Sequence, residues 1–255
     1  MAAWPPGPGA WVIDLDGVIW LTGEPIEGAA EAVAALRRMG SRPVFCTNNS
    51  SPTVAELCGR LGRTGIDAGP ADLVTSAQAA AGLLDPGTTA LALADPGVAE
   101  ALEGRGVTLV AEGPADAVVV GWTRTFDFDR LARAAACVRG GARLIGTNED
   151  PTLPTPQGLL PGGGALLAAV ASAAGAVPQV AGKPHQPMVD LVTARVGRVA
   201  AVVGDRPATD GRLAAALGAP FALVLSGVTG AGERPDPAPD AVAADLGRLV
   251  EGLDG

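Results

Sequence analysis

Histidine and lysine are almost missing from this chain: His185 is its one histidine and Lys183 its one lysine. With no second histidine, no cysteine pair and no His-Glu-x-x-His run, a zinc site or metalloprotease is excluded. His185, beside Pro184, reads as structural or peripheral. Cysteine is scarce too. Cys46, Cys58 and Cys137 lack CxxC spacing, and their odd number closes no disulfide framework, which fits a reducing cytoplasm. Basic clusters are absent, and the formal net charge of −9 argues against a nucleic-acid partner, because phosphate backbones are held by grouped Lys and Arg. No apolar run is long enough for a membrane: residues 164–176, rich in Ala and Gly, fall short of a span. The opening residues carry Trp4 and prolines but no Lys or Arg, so the charged start of a signal peptide is missing. Gly162-Gly163-Gly164 lacks the Lys-Ser/Thr ending of a P-loop, and the residues after Gly204 do not form GxGxxG. Both nucleotide readings fall.

What is present is a composition for burial. The chain has 255 residues, 48% hydrophobic and 18% charged, as expected of a folded globular protein of one or two domains. Short apolar runs at 11–13, 43–46, 118–120, 199–203 and 221–225 read as buried parallel strands. Between them, Ala29, Val33 and Leu36 share a helical face, as do Leu57 and Leu61, Leu131, Ala135 and Val138, and Leu213 and Leu217. Ser51-Pro52 offers a helix start with Pro at the first position. Strands alternating with helices predict a doubly wound, Rossmann-like α/β sheet. The middle of the chain has strand and helix signals of its own. The expected layout is a core from 1–76 and 183–255, with an α/β cap inserted at 77–182.

In such sheets ligands bind beyond the carboxyl ends of the strands. Polar residues follow three of the runs directly. Asp14-Leu15-Asp16-Gly17-Val18 sets two carboxylates two residues apart: one can attack phosphorus and the other can handle the proton. Thr47-Asn48-Asn49-Ser50-Ser51 supplies hydroxyl, amide and backbone donors ahead of a helix start. Lys183 offers a compact ammonium in an otherwise arginine-based chain. Gly204-Asp205 and Asp210 add hard oxygen ligands suited to magnesium. Taken singly, each also has a plain structural reading: a turn, a cap, a surface lysine, a charge at a helix start.

The ordered set resembles the four motifs of the haloacid dehalogenase superfamily, from Trp11 to the segment 223–229. It is most similar to the subgroup of nitrophenyl, ribonucleotide, phosphoglycolate and glycerol-phosphate phosphatases, whose large α/β cap lies between the second and third motifs. Residues 119–122, 146–150 and 160–164 resemble its cap segments. The resemblance implies that Asp14 is nucleophile and metal ligand, and that Asp16 is acid and base with a backbone carbonyl on the metal. Thr47, Asn48 and Lys183 then hold the phosphate. Asp205 and Asp210 complete a Mg2+ site. It also implies a small phosphate ester as substrate, a homodimer, and the cap loop 148–154, stiffened by its prolines, as selector of the leaving group through Thr152 and Leu153. Pro207-Ala208 and Gly211 depart from the family pattern around Asp210. A phosphotransferase or mutase on the same core, and a catalytically silent regulatory relative, are the alternatives.

Overall fold

The computed structural model describes residues 4–21, 23–155 and 158–253. Two compact units emerge. One comprises Met1–Thr47, Leu57–Val74 and Val189–Gly255, and the other Asn48–Glu56 with Thr75–Met188. Beyond the insert expected at 77–182, the second unit therefore also contains 48–56, 75–76 and 183–188.

The first unit is built on a six-stranded sheet in the order Ala241–Ala243, Phe221–Val224, Val199–Gly204, Ala10–Ile13, Arg42–Thr47, Leu73–Thr75. The first five of these run parallel to their neighbours. The central strand Ala10–Ile13 is buried along its whole length. That is why its sequence is continuously apolar rather than alternating. From it the chain passes to Arg42–Thr47 on one side and returns much later to Val199–Gly204 on the other. The sheet thus has its topological switch point beside Ala10–Ile13, as expected for a doubly wound fold. Helix Ala29–Arg38 covers the sheet with Ala29, Ala32, Val33 and Leu36, three or four residues apart.

One helix start differs from expectation. The helix after Thr47 spans Val54–Arg63, and its cap is Thr53 rather than Ser51-Pro52. The Thr53 N–H donates to Glu56 Oε2 at 2.8 Å and the Glu56 N–H to Thr53 Oγ1 at 3.2 Å, a reciprocal capping box. The next amide, Val54 N–H, donates to Glu100 Oε2 at 2.7 Å. Protein carboxylates therefore occupy the Thr53 and Val54 amides at this helix start.

The second unit has its own five-stranded sheet, ordered Gln179–Val180, Arg143–Gly146, Ala117–Val120, Thr89–Leu93, Thr108–Leu109, with all pairs parallel. Leu91, Leu93, Val118, Val120 and Leu144 pack against Ala134 and Val138 of helix Phe128–Arg139 and Leu167 and Val170 of helix Gly163–Ala174. Their spacing of two along each strand puts them on one face. A Cβ on Gly146 would sit 2.2 Å from Leu167 Cδ2, so the missing side chain lets that helix approach the sheet. A second correction concerns the loop expected over 148–154. Thr152–Thr155 is a strand, paired antiparallel with Gly158–Pro161. No described helix is long and apolar enough to cross a membrane.

Candidate active site

Asp14 directly extends the central strand of the first unit: its N–H donates to Val203 O at 2.9 Å. The adjoining strands are in register, with Ile13 opposite both Phe45 and Val203. Asp14, Thr47 and Asp205 consequently emerge at the same sheet edge. Leu15 and Val18 are fully buried, which pins the turn, while Asp16 stays partly exposed. Trp20 Nε1 donates to Asp16 Oδ1 at 2.9 Å and fixes that carboxyl group.

Gly17 between them adopts φ +89°, a region that side-chain-bearing residues rarely enter, and a Cβ there would lie 2.5 Å from Asp205 Oδ2. Asp205 is 1% exposed. Its Oδ2 accepts from Val228 N–H at 2.7 Å, and its main-chain oxygen accepts from Thr229 Oγ1 at 2.5 Å. Ser226 Oγ ties the same segment to Gly17 O at 2.7 Å. Residues 226–229, within the segment 223–229 of the resemblance, thus secure Asp205 and Gly17, and the Ser-Gly-Val-Thr run after a buried strand is the sequence signal for that role.

Asp210 sits on a π-helical turn over Pro207–Gly211. Arg206 N–H donates to its Oδ2 at 3.1 Å, and its own N–H donates to Arg206 O at 2.8 Å. A Cβ on Gly204 would fall 2.2 Å from Asp210 Cγ, so glycine at the strand end makes room for the carboxylate. Gly211 has a packing reason as well: a Cβ there would meet Pro237 Cγ at 2.8 Å and Phe221 Cδ1 at 3.1 Å. The departures from the family pattern at 207, 208 and 211 thus coexist with a fully built turn.

Asp14, Asp205 and Asp210 each offer a carboxylate oxygen, and these oxygens all lie within 4.8 Å of one another. Asp14 is 9% exposed and the other two 1%. Like charges this close and this dry repel unless a cation or protons intervene. An all-oxygen, all-carboxylate set is the donor chemistry that a hard divalent ion such as magnesium takes. The residues fit the ion.

In the second unit Lys183 is 2% exposed, not a solvated surface lysine. Its main chain is held by Asn48: Oδ1 accepts the Lys183 N–H at 2.7 Å, and Nδ2 donates to Lys183 O at 3.1 Å. Nδ2 also reaches Asp150 Oδ2 at 3.3 Å. Asn148 and Asp150, at the start of the 148–154 segment, belong to this cluster. Thr152 and Leu153 lie on the hairpin, opposite Pro161 and Leu160. Trp122 Nε1 donates to Pro161 O at 2.9 Å and secures the hairpin's other arm. His185 pairs with Glu149 at 3.0 Å in a partly exposed position.

Comparisons with known proteins identify the family. Residues 11–108 match the model of the haloacid dehalogenase-like hydrolases, and residues 180–249 match a second HAD-hydrolase-like model. The D-glycerol 3-phosphate phosphatase of Mycobacterium tuberculosis is 41% identical over 86% of this chain, which spans 64% of that relative's length. The dihydroxyacetone phosphatase of Corynebacterium glutamicum is 34% identical over 86% of this chain and 82% of its own. Among solved structures, the M. tuberculosis glycerol phosphate phosphatase in complex with magnesium superposes with a TM-score of 0.87 at 38% identity, covering 95% of this chain and 76% of that one. With its four motifs in order, a carboxylate cluster at the switch point and these relatives, the chain belongs to the haloacid dehalogenase-like hydrolase family.

Proposed function

We propose that the chain is a magnesium-dependent phosphatase acting on small phosphate monoesters through an aspartyl-phosphate on Asp14. The observation that carries this is the buried trio Asp14, Asp205 and Asp210, with oxygens within 4.8 Å, beside a second carboxyl group at Asp16. When bound, magnesium supplies positive charge that offsets the trio and draws in a phosphate dianion.

An oxygen of the Asp14 carboxylate attacks phosphorus, and the bond from phosphorus to the ester oxygen breaks. Asp16, entering as the acid and held by Trp20, gives its proton to the departing alkoxide. Asp16 then takes a proton from water, whose oxygen attacks phosphorus and breaks the bond to Asp14. Inorganic phosphate leaves, and both side chains return to their starting states. Thr47, Asn48 and Lys183 are the residues we assign to the phosphate site, and Thr152 and Leu153 those we assign to choosing the leaving group.

The apolar Leu153 favours a small uncharged leaving group. The relatives named for glycerol 3-phosphate and dihydroxyacetone support a three-carbon alcohol or ketone as that group. The test is a phosphate-release screen with magnesium and no sugar acceptor, over glycerol 3-phosphate, dihydroxyacetone phosphate, phosphoglycolate, nucleoside monophosphates and pyridoxal phosphate. Sustained release, highest on the three-carbon esters, is expected. No release from any ester would remove the hydrolase reading, and release that needs a second sugar would turn it into phosphoryl transfer.

A further inference from the structure

A Thr-Asn-Asn run at a strand end invites the assignment of every side-chain donor in it to the phosphate. The geometry points elsewhere for one of them. A carboxamide has two N–H donors and one oxygen acceptor. In Asn48 the oxygen takes the Lys183 N–H at 2.7 Å, and the nitrogen gives to Lys183 O at 3.1 Å and to Asp150 Oδ2 at 3.3 Å. The first two contacts form a reciprocal pair with the main chain of a single residue, as a neighbouring strand would. The third fixes which way round the amide lies. Flipping it would set Oδ1 against the oxygens of both Lys183 and Asp150, and NH2 against the Lys183 N–H.

The surroundings keep Asn48 in place. Its main-chain oxygen accepts from Asn148 Nδ2 at 2.9 Å and from Ser76 Oγ at 2.8 Å. Asn148 is oriented in turn by the Asp150 N–H, which donates to its Oδ1 at 3.1 Å. Gly182 has no room for a side chain: a Cβ would lie 2.5 Å from Asn48 Oδ1 and 2.4 Å from Thr147 O. Lys183, Asn148, Ser76 and Thr147 are all buried. Hydrogen bonds in such a dry cluster are strongly directional. A lysine side chain has a long flexible stem, so the precision of its ammonium depends on how firmly its main chain is held.

We propose that the Asn48 carboxamide is a positioning residue for Lys183, oriented by Asp150, and acts on the phosphate through Lys183 rather than by direct side-chain contact. This rests on the reading above, in which Lys183 binds phosphate.

Because Lys183 is the chain's one lysine, protein labelled with 13C at lysine Cε gives one lysine side-chain NMR signal. Inorganic phosphate with magnesium is the probe. In the wild type, phosphate is expected to shift the signal. Asn48→Asp keeps Oδ1 but sets a carboxylate oxygen against Lys183 O and Asp150 Oδ2. It should move or broaden the signal before phosphate is added, and weaken phosphate inhibition and raise KM about tenfold, the size of one misdirected buried hydrogen bond. Adding Asp150→Asn to Asn48→Asp restores a donor facing the new carboxylate, and should recover most of the signal position and KM. A generally damaged fold would not show that rescue.

If Asn48→Asp leaves the signal, the phosphate response and KM unchanged, the positioning role is wrong. It is equally wrong if Asp150→Asn fails to rescue a folded Asn48→Asp protein. Should Asn48→Asp not fold, Asp150→Ala carries the test: it removes the orienting acceptor, and an unmoved Lys183 signal with wild-type KM overturns the proposal. A wild-type signal that ignores phosphate but moves in Asn48→Asp would leave the positioning role standing and remove Lys183 from phosphate binding.

Discussion

The two large sheets of this protein are built on parallel strands, and in both, polar residues follow the strands, yet the chemistry at their ends differs. Behind the first unit's strands stand Asp14 and Asp205, with Asp210 one turn further on. In the second unit Thr147 and Asn148 stand behind Arg143–Gly146, and they close on neutral partners: the Ser50 and Thr147 hydroxyls are 3.0 Å apart, and Asn148 bonds the main chain of Asn48. Neutral hydroxyls and amides that satisfy one another make a rigid interior at little cost. Three carboxylates within 4.8 Å do the opposite. At an effective dielectric constant of about 20, each pair of full charges at that spacing repels by roughly 3 kcal/mol. One strand-end cluster is built to hold a shape, and the other is held in tension for a ligand.

The largest break in that comparison is Asp14→Asn. The amide keeps the shape and relieves repulsion, so the fold should persist while turnover falls at least about a thousandfold, as for other lost covalent nucleophiles. Activity above that level with a normal circular dichroism spectrum would remove Asp14 as nucleophile.

Chelation probes the tension itself. EDTA should stop phosphate release and magnesium should restore it, and magnesium should also raise the melting temperature of the wild type. In Asp210→Asn the melting temperature in EDTA should equal or exceed that of the wild type, with a much smaller rise on adding magnesium. Full activity in chelator, or an equal rise in both proteins, would sink the metal assignment.

A smaller effect is expected from Leu153→Arg on the second unit's hairpin. The ranking of substrates should change toward more charged esters, while hydrolysis of a small aryl phosphate stays within about tenfold, since the carboxylates are untouched. A uniform fall on all substrates, or no change, would deny the hairpin a selecting role.

The smallest effect concerns Asp116, an exposed carboxylate of the second unit. Hydrogen bonds from the Thr89 N–H at 2.7 Å and Thr89 Oγ1 at 2.8 Å lower its pKa, the backbone bond contributing most. A carboxylate with a depressed folded pKa adds stability above its unfolded value, and that stability is lost as pH falls through the folded value. Asp116→Asn should therefore cost a little stability at pH 7 and progressively less below about pH 4, where the carboxylates protonate. Urea midpoints at pH 7 and pH 3 would show it. An equal loss at both would mean that the ionised form is not what Thr89 binds.

Much of the first sheet was legible because its inner strands are buried on both sides and so write themselves as unbroken apolar runs. The edges were not. Leu73–Thr75 and Ala241–Ala243 are three residues long, too short for a pattern, and depend on their neighbours for pairing. Thr89–Leu93 was diluted by alanines that pack well but signal weakly. The Thr53–Glu56 box is written in its Thr-x-x-Glu spacing, but Ser51-Pro52 offers a competing start two residues early. The carboxylates were legible because each stands just behind a strand or the turn that follows it. The task of Asn48 was not, since its partners Asp150 and Lys183 lie 102 and 135 positions away, where sequence spacing carries no information.

The π-helical turn at Pro207–Gly211 changes what counts as a conservative difference in this part of the chain. In an α-helix each residue rotates the next by about 100° around the axis, and a π turn fits one extra residue into the same loop. Removing a residue such as Ala208 would tighten the turn and swing the Asp210 carboxylate away from Asp205. Replacing it would not. Length is therefore the constrained quantity between these two aspartates, while the side chain at the exposed position 208 is free to vary. An alignment that counts matched letters will undervalue this segment, whereas one that penalises gaps here will recognise it even where Pro-Ala stands in place of more usual residues.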